Sequence, residues 1–190
     1  TNAAMVGARP EYMPVIVAGL KAYADAKIDM GAIEPTSFAM IINGPIAREI
    51  GINSGMGALG PSSRYPASSS IGRTIFSVLR TILQLDPGTT DISVLGQSAK
   101  FNGVVFAENE EATPWEPLNV GIDFPRGANT VTVFDVTSFQ NLCCPGNDLR
   151  FLVPFLTKVA APAIAFPRAV LPFQNEAFGM LIIPPGAARS

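Results

Sequence analysis

The residues best suited to chemistry lie in residues 107–118 (AENEEATPWEPL), which set Glu108, Glu110, Glu111 and Glu116 within nine residues at the end of a predicted strand. Carboxylates crowded this closely repel one another, which favours proton sharing and suits a general acid or base. The same oxygens suit a hard divalent cation such as Mg²⁺, Ca²⁺ or Mn²⁺, with Glu108, Glu110 and Glu111 as its candidate ligands. A run of glutamates is more often a solvated loop. Two features favour a site here: charged residues make up only 15% of the chain, and Pro114-Trp115 and Pro117-Leu118 supply apolar anchors for the segment. Glu108 and Glu111 are expected to face inward as the catalytic groups.

A second constellation spans residues 51–85, where a Gly/Ser-rich loop runs into a predicted helix. Ser68, Ser69 and Ser70 offer N-cap hydroxyls for a helix opening near Ile71, and Arg73 falls in its first turn. A helix N-terminus with a nearby guanidinium is a place for a carboxylate or phosphate, so Arg73, Ser70 and Arg64 are candidate substrate-binding residues. The loop lacks the Lys and the spacing of a nucleotide P-loop. Its one G-x-G-x-x-G string, residues 55–60, follows no clear strand and is broken by Pro61, so no dinucleotide cofactor is expected. The alternative is an ordinary surface crossover, although a loop this long usually has a task. Asn43, in Asn43-Gly44-Pro45, is first a turn residue and second a side chain that could orient a ligand.

The chain contains no histidine. Ser-His-Asp and Cys-His catalysis within this chain are therefore excluded, as are His-ligated metal sites. Any general base must be a carboxylate, a shifted Lys, Tyr or Cys, or a residue from a partner. Cys143 and Cys144 could form a vicinal disulfide, a soft-metal site or a nucleophile near Arg150. The commoner fate of two cysteines beside an apolar Leu142 is simple burial. Thr1 has the chemistry of an N-terminal nucleophile, but a processed or trimmed end explains it more simply.

These groups are carried on 190 residues, a length that predicts a single domain, either whole or a processed part of a longer chain. Apolar residues reach 48% and the mean hydropathy is +0.31, whereas ordinary soluble domains carry about 25% charge. So few charges on so much surface predict burial against other subunits, in a homo- or hetero-oligomer. No window approaches 18 uninterrupted apolar residues, so no membrane span is expected. A net charge of −2 argues against nucleic acid. Two cysteines and no visible leader fit the cytoplasm.

The elements alternate. Met13, Ile16, Val17 and Leu20 mark a helix over residues 9–26, and residues 37–42 (SFAMII) read as a buried strand. A single helical turn over residues 46–50 points Arg48 and Glu49 outward. The helix over residues 71–85 carries a stripe of Ile71, Ile75, Val78, Leu79 and Ile82. Strands are predicted over residues 103–107, 130–134 and 178–183, and a helix kinked at Pro154 over residues 149–160. The pattern predicts an α/β or α+β fold, a mixed sheet covered by helices.

Several stretches, in the same order and covering roughly residues 2–135, resemble a bacterial family associated with the UGSC-type (seleno)proteins. They are RPEYMPV (residues 9–15), NGPI (43–46), GINSG (51–55), Gly60-Pro61, SIGR (70–73), ENEE (108–111), PWEPL (114–118) and the strand over 130–134. The resemblance implies kinship and a redox-flavoured neighbourhood but no particular mechanism. Members of that family begin further upstream and carry histidines in the C-terminal third. Their absence here implies that the role of those histidines is lost or is supplied by a sister subunit.

Three functions follow as expectations. The first is a subunit of an oligomeric enzyme acting on a small anionic substrate by carboxylate acid/base or metal-assisted chemistry, of lyase, hydratase or hydrolase type. The second is a non-catalytic subunit of a hetero-oligomer whose sister chain carries the active site. The third is a thiol-based redox protein using Cys143 and Cys144. The first requires Glu108, Glu111 and Arg73 to converge on one pocket.

Overall fold

The computed structural model describes residues 1–25, 37–91, 101–136, 139, 150, 153–154, 157–158 and 180–189. The chain divides into two compact units, one formed by Thr1–Glu111 with Glu116–Phe139 and the other by Ala112–Trp115 with Gln140–Ser190. The first holds the sheet. Its elements in order are α1 (Asn2–Met5), a 3-10 turn (Pro10–Tyr12), α2 (Met13–Asp25), β1 (Ser37–Asn43), α3 (Ile46–Glu49), α4 (Pro66–Leu83), β2 (Val104–Ala107), α5 (Leu118–Gly121) and β3 (Thr130–Val136). In the second unit, α6 (Pro185–Ala188) is a single helical turn.

The three strands form a mixed sheet in the order β2-β1-β3, so the fold is of the expected α/β or α+β type. β1 runs parallel to β2, with Ala39 opposite Val104, and antiparallel to β3, with Asn43 opposite Thr130. All seven residues of β1 are buried, the pattern of a central strand covered on both faces rather than an alternating one. On one face, Phe38, Met40 and Ile42 pack against Tyr12, Val15, Ile16 and Tyr23 of the 3-10 turn and α2, and against Ile71, Ile75 and Leu79 of α4. The ring of Phe38 meets that of Tyr23 edge-on at 6.2 Å. Burying these side chains stabilises the fold by about 1.5–3 kcal/mol each relative to exposure.

Two helix expectations need correction. α4 opens at Pro66, not near Ile71, and its N-cap is Tyr65. Proline fits the first helical position because it has no N–H to leave unpaired there, and starting early buries Ala67 completely. Ser68, Ser69 and Ser70 are therefore helical residues, not caps. The apolar stripe is also shorter than expected: Ile71, Ile75 and Leu79 are buried, whereas Ile82 is 70% exposed near the helix end. Ile82→Ser is accordingly expected to change the stability of the isolated chain by no more than about 0.5 kcal/mol, which a thermal melt checks. By contrast, a shift in oligomeric state for the same variant would mark Ile82 as an interface residue.

Residues 180–183 form no strand; Phe178 and the helix expected over residues 149–160 lie wholly or largely outside the described residues, as do Cys143 and Cys144. Among the described residues, no helix is long and apolar enough to cross a membrane.

Candidate functional site

β1 and β2 run side by side and end together, and the polar residues that follow them fold over that end. Asn43 is the last residue of β1 and is fully buried. Its Nδ2 donates to Glu108 Oε2 at 2.7 Å and to Glu110 Oε1 at 3.1 Å. Because both oxygens sit on one nitrogen, they are no more than about 6 Å apart. The backbone N–H of Gly44 donates to the same Glu110 oxygen at 2.6 Å, and that of Leu118 donates to Glu108 Oε2 at 2.8 Å. Each carboxylate is thus fastened through one oxygen, and the other oxygen makes no hydrogen bond among the described residues.

The local fold explains why these groups meet. The Glu108 N–H continues the strand ladder onto the Ile42 carbonyl, and the Ala107 N–H bonds the Asn53 carbonyl, so β2 delivers Glu108 beside Asn43. Gly44 has φ +89°, and a side chain there would meet the Ala128 carbonyl oxygen at 2.5 Å. Only glycine lets the turn after β1 approach this closely while its N–H points at Glu110. Asn119, also fully buried, donates to the Ala128 carbonyl and so ties the turn that presents the Leu118 N–H. Asn129 Oδ1 accepts from the Ile46 N–H and closes the rim.

Glu111 departs from expectation. It faces solvent and forms an exposed ion pair with Arg48 of α3, so Glu110, not Glu111, is the inward neighbour of Glu108. Residues two apart share a face of an extended chain and residues three apart do not, so it is Glu110 that follows Glu108 to the Asn43 side. The proposed metal set of Glu108, Glu110 and Glu111 is not assembled either. Among the described residues, no three metal-ligating side chains are grouped to hold an ion.

The candidate anion-binding residues lie elsewhere. Arg73 is exposed and donates to the Phe101 carbonyl at 3.2 Å, ahead of β2, whereas Glu108 follows its last residue. Four residues of strand at about 3.3 Å each separate those ends, so Arg73 and the glutamates do not converge. Arg64 is exposed, with its guanidinium 5.4 Å from the Tyr65 ring centre. Ser70 sits inside α4, where its carbonyl accepts from Thr74 Oγ1. Asn43 alone of the four candidate binding residues joins the carboxylates.

Sequence reasoning missed the two backbone donors, Arg48 and Thr130. Thr130 stands opposite Asn43 across the antiparallel pair, on the same face of the sheet. Its Oγ1 and the Asn43 Oδ1 are both buried and, among the described residues, without a hydrogen-bond partner. Period-two alternation in TVTVF carried that signal, since it places Thr130 and Thr132 together on one face. Compared with protein-family models, curated proteins and solved structures, the chain matches none.

Proposed function

We propose that the first unit is the catalytic part of an enzyme that moves a proton on a small polar molecule bound beyond the ends of β1 and β2, with Glu108 and Glu110 as its working pair in place of the expected set of Glu108, Glu111 and Arg73. The observation that carries this reading is one buried amide, Asn43, holding Glu108 and Glu110 side by side. A carboxylate fixed through one oxygen presents the other in a defined direction, the arrangement a general base needs. Glu108, anchored by two donors to one oxygen, is assigned the proton transfer, with Glu110 as its partner. The unpartnered Asn43 Oδ1 and Thr130 Oγ1 support the reading further, since buried polar atoms left unpaired are costly and a ligand would satisfy them. Ligands of open α/β sheets also gather beyond the carboxyl ends of strands. Lyase, hydratase and hydrolase chemistry all suit such a site.

The test is a panel of small hydroxy acids, keto acids and amides incubated with the full chain in D₂O and followed by proton NMR. Turnover, or exchange of a C–H proton beside the carboxylate, is expected for one class. Glu108→Gln should cut that rate about a hundredfold, within the range general acid–base groups contribute, with little change in the melting temperature. Activity that survives both Glu108→Gln and Glu110→Gln would sink the proposal.

The second reading is a non-catalytic subunit of a larger assembly. It draws on the separation of Arg73 from the glutamates and on exposed apolar side chains such as Met13, Val17 and Ile82. Native mass spectrometry separates the two readings: a homo-oligomer active in the NMR assay supports the first, and a hetero-oligomer whose activity stays with a histidine-bearing sister chain supports the second.

A further inference from the structure

The chain contains two Asn-Gly pairs, Asn43-Gly44 and Asn102-Gly103. Such a pair carries a reaction of its own. The backbone nitrogen of the glycine attacks the side-chain carbonyl carbon of the asparagine, loses its proton and closes a succinimide ring as ammonia leaves. Water then opens the ring at one carbonyl or the other and yields aspartate or isoaspartate, so the net change is water in and ammonia out. Glycine favours the closure because no side chain shields its nitrogen. The ring forms only where that nitrogen is free to swing toward the asparagine side chain and give up its proton.

The two pairs stand in opposite surroundings. Asn43 is fully buried at the end of β1, across the ladder from Thr130. Its Nδ2, the group that must leave, donates to Glu108 and Glu110. The Gly44 N–H, which would have to attack, donates to Glu110 at 2.6 Å. A carboxylate against that nitrogen also opposes loss of its proton, because the anion formed would face a like charge. Asn102 is half-buried in the turn ahead of β2. Among the described residues, neither its side chain nor the Gly103 N–H has a hydrogen-bond partner. Attack there breaks no hydrogen bond. Attack at Asn43 breaks bonds to charged groups, each worth a factor of about ten or more in the population able to react.

We propose that Asn102 is a deamidation site of the folded chain, and that the bonds joining Asn43 and Gly44 to Glu108 and Glu110 shield Asn43 from the same reaction. The proposal rests on those hydrogen bonds and not on the catalytic reading. Conversion of Asn102 has a structural consequence. Isoaspartate adds a carbon to the backbone between residues 102 and 103, where Gly72 closes against the Asn102 carbonyl and Gly103 against the Phe38 ring. Neither side has room for it, so the junction of α4 and β2 must loosen. Conversion of Asn43 would instead replace the donor of the cluster by a third carboxylate.

The test is incubation of the full chain in warm alkaline buffer, with and without denaturing urea, followed by peptide mass spectrometry. Methylation by an isoaspartate-specific methyltransferase separates isoaspartate from aspartate. In the folded protein Asn102 is expected to convert at least about tenfold faster than Asn43, the factor that one lost bond to a charged group supplies. In urea the two rates should fall within about threefold of each other, because the unfolded chain holds neither pair in place. Glu110→Ala frees the Gly44 N–H, so it should speed conversion of Asn43 about threefold or more and leave that of Asn102 unchanged. A variant that raises both rates alike has unfolded, and the comparison of the two sites in the parent then decides. Equal rates in the folded parent, a faster Asn43, or an Asn102 that converts only in urea would overturn the proposal. So would a folded Glu110→Ala protein in which Asn43 is as inert as before.

Discussion

Gly72→Ala is expected to destabilise the protein by about 3 kcal/mol, at the upper end of what overpacking costs. The sign is the informative part. In an exposed helix interior the same change stabilises, because glycine is worse than alanine there by about 1 kcal/mol. Gly72 lies within α4, buried, and a Cβ built on it overlaps the carbonyl oxygen of Asn102 and crowds Val105. The overlapping atom belongs to the backbone at the entrance to β2, so a rotamer change cannot relieve it. Either α4 or the 102–103 turn must move. Urea denaturation of Gly72→Ala beside Gly121→Ala checks this. A Cβ on Gly121 meets nothing within 4 Å, so that variant should stay within about 0.5 kcal/mol of the parent. Equal behaviour of the two variants would mean that the close approach of helix and strand is not a determinant of stability.

Asn43→Asp is expected to cost more than Asn43→Ala, about 4 against about 3 kcal/mol, in neutral buffer. Alanine removes two bonds to carboxylates, each worth about 1.5–3 kcal/mol when the partner is charged, and leaves a small cavity. Aspartate keeps the shape but turns the donor into a third carboxylate against Glu108 and Glu110, both of which Asn43 Nδ2 holds. Like charges at that distance, partly shielded from water, repel strongly. Any activity found for the parent should be lost in both variants, because neither can hold the two glutamates together. Chemical denaturation ranks the stabilities. The reverse order, with aspartate the milder change, would show that the amide is not the donor it is assigned to be.

Much of this architecture was legible. Residues 37–42 announced a buried strand by having no polar residue after Ser37, and TVTVF announced β3 by its alternation. Both patterns concern residues whose neighbours are fixed by the element itself. The site was legible only in part. Glu108 and Asn43 each stand at a strand end, and chain direction alone carries them forward. Their meeting depends on the parallel register of β1 and β2, which two segments 65 residues apart do not reveal. Glu110 rather than Glu111 joins Glu108, as the period-two facing of an extended chain requires, because residues three apart fall on opposite faces. Arg73 and the glutamates suit one anionic substrate chemically, but the length of β2 keeps them apart. Pro66 starts α4, and the three serines after it have the chemistry of caps but lie inside the helix.

The central position of β1 also bears on the order in which the protein is made. Its residues are synthesised before either partner, the parallel one beginning at Val104 and the antiparallel one at Thr130. A ribosome adding about 5–20 residues per second needs about 5–20 s to pass from the end of β1 to the start of β3. Until β2 is complete at Ala107, one of the most apolar segments of the chain has no strand on either edge, and one edge stays open until β3 follows. Such a segment pairs readily with another nascent copy. Slow translation between residues 43 and 130, or release of the chain before Thr130, should therefore favour aggregation over a soluble fragment.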